Sequence, residues 1–116
     1  MQIKRLDSGL RDAWDRFVQN NERASFFHLA GWRDVVEQTF GWPTYYLYAE
    51  DDLGIQGVLP LAHVKSRLFG NALISAPYAV YGGIVAASED ARSALDEAAV
   101  ELSESLGVDY LELRQR

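Results

Sequence analysis

The chain has 116 residues, a hydrophobic fraction of 48% and a net charge of −6, which fits one globular domain able to bury roughly two-thirds of its unfolded surface. The absence of cysteine excludes disulfides, zinc–thiolate sites and thiol nucleophiles, and it suits a cytoplasmic protein. The acidic balance argues against DNA as a partner, and no apolar run in the sequence is long enough to span a membrane.

The N-terminal part of the sequence predicts a short strand followed by two helices. Residues 2–6, QIKRL, suit a strand, and Asp7 or Ser8 can cap the helix after it. A second helix follows residues 25–27 and ends at Gly41. The apolar residues at helical spacing, which we expect to face the core, are Leu10, Trp14, Phe17 and Val18 in the first helix and Leu29, Trp32, Val35, Val36 and Phe40 in the second.

From residue 44 onward the apolar pattern changes to the two-residue period of β-strands. TYYLYAE (44–50) and IQGVLPLAHVK (55–65) predict two strands joined by a polar turn. Pro60 lies inside the second of these runs and has no N–H for the ladder, so we expect a bulge or a sheet edge there. A second turn, SRLFGN (66–71), leads to a fourth strand over ALISAP (72–77).

The C-terminal part predicts a long helix and a last strand. Ser88 is a helix N-cap, Gly107 ends the helix, and VDYLELR (108–114) is a strand with apolar residues on both sides. The buried stripe of the helix is predicted to be Ala91, Ala94, Leu95, Ala98, Leu102 and Leu106. The order of elements predicts an α+β protein, with a mixed, mainly antiparallel sheet flanked by helices, similar to the N-acetyltransferase-like (GNAT) fold.

The GNAT resemblance raises the question of acetyl-CoA. GNAT enzymes bind the pyrophosphate of coenzyme A on a loop, Arg/Gln-x-x-Gly-x-Gly/Ala, that opens a helix. RLFGNA (67–72) matches this pattern, but a strand pattern follows it, so Gly70 and Asn71 are predicted to form a hairpin turn. The stretch before the long helix, YGGIVAASED (81–90), carries two carboxylates that would repel a pyrophosphate. Acetyl-CoA is therefore disfavoured as a cofactor.

Pairs of residues able to do acid–base chemistry are scarce. His28 and His63 are the only histidines, and neither has a metal-ligand partner at helical or hairpin spacing. We predict that His28 is a helix cap or a surface residue, and that His63 is a hydrogen-bonded strand side chain. Glu112 and Arg114 on the last strand suit a structural ion pair. The sequence therefore assigns no catalytic residue and no metal site.

Aromatic, glycine and basic residues supply candidates for a binding groove. The segment SAPYAVYGGI (75–84) has two interpretations. It is either a bend between a strand and a helix, or a groove wall where the glycines allow close approach and a tyrosine hydroxyl meets a ligand. Two basic residues at the end of a strand could receive an anionic group of the substrate. The candidate binding residues are Trp32, Lys65, Arg67, Tyr78, Tyr81, Gly82 and Gly83.

Four segments occur in the order and spacing typical of the FemAB-like family: SFFHLAGW (25–32), GVLPLAHVKSRLFGNALIS (57–75), PYAVYGGI (77–84) and VDYLELR (108–114). Over its whole length the chain resembles the N-terminal part of that family, in particular its exosortase-associated branch. The resemblance implies two GNAT-like units that transfer amino acids from aminoacyl-tRNA to the peptide of a peptidoglycan precursor, without acetyl-CoA. It also implies that the first unit lines the acceptor groove, with matching positions at Trp32, Lys65, Tyr81, Gly82 and Gly83.

Members of that family are much longer than this chain. We therefore expect residues 1–116 to form a single GNAT-like domain, equivalent to the first half of such a protein and inactive alone. The alternatives are a stand-alone acetyltransferase that uses acetyl-CoA and a non-catalytic binding or assembly module. A second GNAT-like unit, or a second copy of the chain, is the expected protein partner at an open sheet edge. A cell-wall or polysaccharide precursor is the expected acceptor.

Overall fold

The computed structural model describes residues 1–67, 70–75 and 83–113. The elements in chain order are β1 (Gln2–Arg5), α1 (Arg11–Gln19), α2 (Ala30–Phe40), β2 (Thr44–Asp51), β3 (Gly54–Ser66), β4 (Gly70–Ser75), β5 (Val85–Ala86), α3 (Glu89–Leu106) and β6 (Tyr110–Glu112). All of the predicted strands and helices are present, and the two-residue strand β5 is an addition. The α+β fold class with a mainly antiparallel sheet is therefore confirmed.

Polar caps and glycines set the ends of the helices, largely as predicted. The side chain of Ser88 accepts a hydrogen bond from the N–H of Ala91 at the start of α3. Asp7 caps a single 3₁₀ turn that precedes α1, where its carboxylate accepts from the N–H of Gly9. Gly41 and Gly107 adopt positive φ angles of 71° and 66° where α2 and α3 end, a conformation that favours glycine.

The sheet has the strand order β1-β2-β3-β4-β6, and β5 pairs with β3. Its pairs are antiparallel except for β4 and β6, which run parallel and are joined through α3. This connection places α3 against one face of the sheet, while α1 and α2 lie on the other face. The long strand β3 is therefore central and β6 lies at one end of the order.

Pro60 lies inside the central strand β3, opposite Tyr46 of β2. The ladder passes through Tyr46 and Pro60 without a shift, and the irregularity lies instead next to Gln56, between Ala49 and Glu50 of the partner strand. On the other side of β3, the pairing with β5 stops at Val58 and the pairing with β4 begins one residue after Pro60. The prediction of a bulge at Pro60 is therefore wrong, and the edge alternative stays a prediction, because the chain that continues from Ser75 alongside Pro60 lies outside the described residues.

Two sets of buried side chains fill the two faces of the sheet. The set between α3 and the sheet consists of Leu47, Ala49, Leu59, Leu61, Leu73 and Ile84, together with Ala91, Leu95 and Ala99 of α3 itself. Under α1 and α2 lie Leu6, Trp14, Val18, Ala30, Tyr46, Tyr48, Val58 and Val85, with a neighbouring cluster of Val36, Ala62, Val64, Ala72 and Ile74. The first set consists of aliphatic residues, whereas the second includes a tryptophan and two tyrosines.

Some predicted core positions are more exposed than expected. Val35 and Phe40 of α2 are 40% and 39% exposed, because Val36 and Ala30 are the residues that face the sheet. The strand β6 is not buried on both sides, since Tyr110 and Glu112 are exposed and Leu111 is half-buried. Both errors arise where apolar residues lie at the margin of the fold. No helix in the described part of the chain is long and apolar enough to cross a membrane.

Candidate functional site

The described binding candidates fall on two different faces of the sheet. Trp32 packs against the cluster under α2, which includes Val64 of β3. Lys65 is the next residue along β3, and successive strand side chains point to opposite faces, so Lys65 faces the α3 side. Gly83 is buried and lies on the same side of the sheet as Trp32, through its contact with the segment that precedes α2. Tyr78, Tyr81 and Gly82 lie outside the described residues.

Lys65 and Arg67 belong to the hairpin that joins β3 and β4. Both are exposed. Gly70, with a φ of 75°, and Asn71 pair with Ser66 and Lys65 as the first residues of β4, so the prediction that these two residues form the turn itself is wrong. The segment RLFGNA therefore leads into a strand, as predicted, and not into a helix whose N–H groups could bind a pyrophosphate. Next to it, the Nε2 atom of His63 lies 2.7 Å from Oδ1 of Asn71, which confirms the interpretation of His63 as a hydrogen-bonded strand residue.

His28 is buried and tied to distant parts of the chain, so its prediction as a cap or surface residue is wrong. Only 1% of the residue is exposed. Its Nδ1 atom lies 3.0 Å from the backbone nitrogen and 3.0 Å from Oγ of Ser25, and its Nε2 atom lies 2.8 Å from the carbonyl oxygen of Gly83. Its own carbonyl accepts a 2.6 Å hydrogen bond from the indole N–H of Trp14. We call Trp14, Ser25, His28 and Gly83 the histidine cluster.

The hydrogen bonds of the histidine cluster fix the protonation of the ring. The backbone N–H of Ser25 can only donate, so Nδ1 must carry a lone pair. The proton of the neutral imidazole then lies on Nε2, which donates to the carbonyl of Gly83. Both ring nitrogens are thus committed, which leaves His28 unsuited to act as a general base in this arrangement.

Trp14 connects the histidine cluster to the sheet. Its side chain is fully buried, and its ring stacks on Tyr46 at a centroid distance of 5.4 Å and meets the edge of Tyr48 at 6.5 Å. The start of α2 is anchored nearby, because the N–H of Ala30 donates to Asp15 at 2.7 Å. The turn that carries His28 is therefore held from both α1 and the sheet.

The 3.0 Å distance between Ser25 Oγ and His28 Nδ1 is one that a nucleophile and its general base could have. The other hydrogen bonds of Ser25, however, are those of a tight turn. Ser25 Oγ also accepts a 3.2 Å hydrogen bond from the N–H of Phe27, which is the local pattern of a serine that closes a tight turn. The same imidazole nitrogen that would remove the serine proton already accepts from the Ser25 backbone. The pair therefore organises the chain entry into α2 and carries no sign of nucleophilic activation.

Tyr46 lies buried between the sheet and α2, next to charged residues. Burial raises the pKa of its phenol above the usual range, and the nearby guanidinium of Arg33 opposes this only in part. Its hydroxyl has no hydrogen-bond partner among the described residues. Tyr46 is thus neutral across the physiological range and acts as a packing residue.

Several cavities border the described residues. One of about 330 Å³ lies at the start of α3, next to Gly83, and is lined by Arg23, Ile84, Ala86, Ala87, Ser88, Glu89 and Arg92. A groove of about 450 Å³ separates α3 from β1 and β2 and is lined by Ile3, Arg5, Tyr45, Leu47, Ala98, Glu101, Leu102 and Ser105. Within the described ranges there is no group of histidine and carboxylate side chains that could hold a metal ion.

Little in the sequence indicates the histidine cluster. His28 and Gly83, which share one of its hydrogen bonds, are 55 positions apart in the sequence. Neither their spacing nor the residues around them predict that they are partners. The one available signal was a histidine inside an otherwise apolar and aromatic segment, SFFHLAGW. Such a residue must find hydrogen-bond partners when it is buried.

Comparison with known proteins shows similarity at the level of the fold. No family model matches the sequence. No curated protein matches it either. Among solved structures, the crystal structure of FemX is similar, with a TM-score of 0.60 and 18% sequence identity over 90% of this chain. The match covers 25% of the FemX chain, so this chain spans about a quarter of the length of FemX. The chain therefore has a Fem-like fold.

Proposed function

We propose that the chain is one unit of a Fem-like aminoacyl or acyl transferase that lines the acceptor-binding groove and is inactive alone. The observation that carries the proposal is the shared fold, which extends over 90% of this chain but only 25% of FemX. Residues 1–116 form a single domain in this proposal. The exosortase-associated branch remains the finer assignment, and it rests on the four sequence segments alone.

The acceptor wall is proposed to lie on the α1 and α2 side of the sheet, around Gly83 and Trp32. Both residues are linked through the turn that carries His28, since the rings of Phe27 and Trp32 meet at 5.0 Å. The neighbouring 330 Å³ cavity is lined by Arg23 and Arg92 and also by Glu89, so its charged groups have both signs. A lining of both charges suits a cell-wall precursor peptide, whose carboxylates can pair with the arginines and whose amino group can pair with Glu89, better than a polyanion such as a pyrophosphate; a polysaccharide precursor with isolated acidic groups is the alternative. Lys65 and Arg67 lie outside this wall and would form a separate contact.

The proposed donor is an aminoacyl-tRNA, which places the reaction in the cytoplasm, and acetyl-CoA is not used. The choice of aminoacyl-tRNA rests on the resemblance to the FemAB-like family, and two observations argue against acetyl-CoA. The only sequence match to a pyrophosphate loop lies in a β-hairpin. The start of α3 carries Glu89 and Asp90 in its first turn and uses Ser88 to bind one of its N–H groups, so the helix end is poorly suited to a second anion.

A second unit is proposed to pair with the β6 side of the sheet. Among the described residues β6 pairs only with β4, so its outer main-chain groups face away from the sheet. The half-buried side chains of Leu111 and Leu113 lie at this margin and belong to the cluster under α3. A further strand would cover them and complete the edge, whether it comes from a second GNAT-like unit or from a second copy.

Calorimetric titration of the chain tests the proposal. We expect heat of binding with a soluble peptidoglycan-precursor pentapeptide and none with acetyl-CoA at millimolar concentration. Binding of acetyl-CoA in place of the peptide would favour the stand-alone acetyltransferase. No binding of the peptide would remove the acceptor wall from the proposal.

A non-catalytic binding module is the second candidate, and one observation favours it. Both histidines of the chain are committed to hydrogen bonds within the fold. Such a module would assemble or bind without transfer. Size-exclusion chromatography with light scattering distinguishes it, because a strict monomer that binds no ligand would contradict it.

A further inference from the structure

We infer that His28 is a positioning residue: in its Nε2–H tautomer it holds the Gly83 carbonyl and thereby sets the backbone that borders the proposed acceptor wall. The inference rests on the proposed function, because only that proposal identifies this surface as a wall of the acceptor-binding groove. His28 itself is buried and does not contact the substrate in this account. Its effect on binding is transmitted through the Gly83 carbonyl.

The hold on Gly83 comes from a ring that is itself fixed on several sides. The Nε2 atom lies 2.8 Å from the carbonyl oxygen, while Ser25 binds Nδ1 and Trp14 binds the carbonyl of His28. The backbone N–H of His28 donates to the carbonyl of Ser25 at 3.0 Å, so the ring and the main chain are anchored together. A donor that is held in this way fixes its acceptor with little freedom.

The position of Gly83 matters because cavity walls begin at the next residue. Ile84 lines both the 330 Å³ cavity and a second cavity of about 240 Å³. On the other side of Ile84, Val85 pairs with Val58 of the central strand. The short stretch between the two anchors is therefore held by His28 at one end and by the sheet at the other. Loss of the first anchor leaves the second in place.

Two substitutions separate the two hydrogen bonds of the ring. In His28→Gln, the amide nitrogen can reach the position of Nε2 and donate to Gly83, while the acceptor for Ser25 is lost. In His28→Asn, the amide oxygen can replace Nδ1 as the acceptor for Ser25, while the donor to Gly83 is lost. Both variants remove one buried hydrogen bond and shorten or reshape a buried side chain. A merely structural role predicts similar behaviour for the two.

Nuclear magnetic resonance of the full chain tests the hold directly. The ring ¹⁵N shifts of His28 should report the Nε2–H tautomer, and the carbonyl ¹³C shift of Gly83 should report its hydrogen bond. We expect the Gly83 signal to stay close to the wild type in His28→Gln and to move in His28→Asn. His63→Gln is the matched control, because His63 bonds to Asn71 in the β3–β4 hairpin, and it should leave Gly83 unchanged. An Nδ1–H tautomer, or equal Gly83 shifts in both His28 variants, overturns the inference.

Titration with the precursor pentapeptide tests the consequence for binding. We expect His28→Asn to weaken the affinity about tenfold, and His28→Gln to restore most of it, as a single lost hydrogen bond predicts. Equal affinities in both variants, with the wild type binding, overturn the positioning role. If the wild type does not bind the peptide, the proposed acceptor fails, and the Gly83 signals still decide whether His28 holds the carbonyl.

Discussion

The two faces of the sheet are built in different ways. The α3 face joins aliphatic side chains from one long helix to the sheet, and its members recur at regular spacing along α3. The α1 and α2 face combines Trp14, Tyr46 and Tyr48 with the hydrogen bonds of His28. The first face is held by burial of apolar area, whereas the second also depends on directed contacts. The second face is therefore expected to be more sensitive to the loss of a single hydrogen bond.

The largest effect is predicted for the α1 and α2 face. Trp14→Ala should lower the free energy of unfolding by about 3–5 kcal/mol, because it removes a fully buried aromatic side chain and the donor to His28. Chemical denaturation of the variant measures this loss.

Trp14→Phe separates the two contributions at the same site. It keeps most of the ring packing but leaves the carbonyl of His28 without the indole donor, so we expect a loss of about 1–3 kcal/mol. If Trp14→Phe were as stable as the wild type, the hydrogen bond from Trp14 to His28 would not contribute to the stability of the α1 and α2 face.

A smaller effect is expected from one methyl group added on the α3 face, where the side chain of Leu95 reaches Gly57 of β3. A methyl group added at Gly57 would come within 2.9 Å of Cδ1 of Leu95 and 3.3 Å of the carbonyl oxygen of Val85. Gly57→Ala should therefore destabilise the chain by about 1–3 kcal/mol.

The second variant on the α3 face is Leu95→Ala. It removes the fully buried side chain that the methyl group of Gly57→Ala would contact. Alone it should lower stability by about 2–5 kcal/mol. Combined with Gly57→Ala, the loss should be smaller than the sum, because the contact with Leu95 is gone. Strict additivity in this double-mutant cycle would contradict the packing described here.

The smallest effect at neutral pH concerns Tyr46. Because its hydroxyl has no partner among the described residues, Tyr46→Phe should change stability by no more than about 1 kcal/mol. At alkaline pH the difference grows. The folded pKa of Tyr46 is raised by burial, so the native state keeps a proton that the unfolded state loses above about pH 10.

Stability should therefore fall as the pH rises past the unfolded pKa, and Tyr46→Phe should flatten this decline. Thermal unfolding between neutral and alkaline pH measures both slopes. Burial also raises the pKa of Tyr48, so part of the decline should persist in the variant. If stability fell equally steeply with pH in the wild type and in Tyr46→Phe, the ionisation of Tyr46 would not be the cause of the decline.

The sequence predicted the elements because their signals are local. The N-cap at Ser88, the glycines after α2 and α3, and the two-residue period from Thr44 each act within a few residues. Exposure at the margins was predicted less well: Val35, Phe40 and Tyr110 are apolar but exposed, and the ring of Phe40 stacks on Trp42 without being buried. Apolar character alone does not show whether a neighbouring element is present.

The candidate site could be predicted only in part. The sequence named Trp32 and Gly83, which the fold brings to one side, and Lys65, which strand alternation places on the other. It also misassigned His28, whose partners lie 3 and 55 positions away. Hydrogen bonds between distant segments depend on the completed topology, so local patterns could not have shown them. The Fem-like fold, by contrast, agreed with the order of the sequence segments.

The central claim is that this domain contributes to transfer but does not perform it alone. The direct measurement is transfer of a labelled amino acid from aminoacyl-tRNA to the precursor pentapeptide. It is made with the chain alone and with the chain combined with a second GNAT-like unit of a Fem-like transferase. We predict no transfer above background by the chain alone and measurable transfer by the combined protein. Robust multiple turnover by the isolated chain would contradict the account.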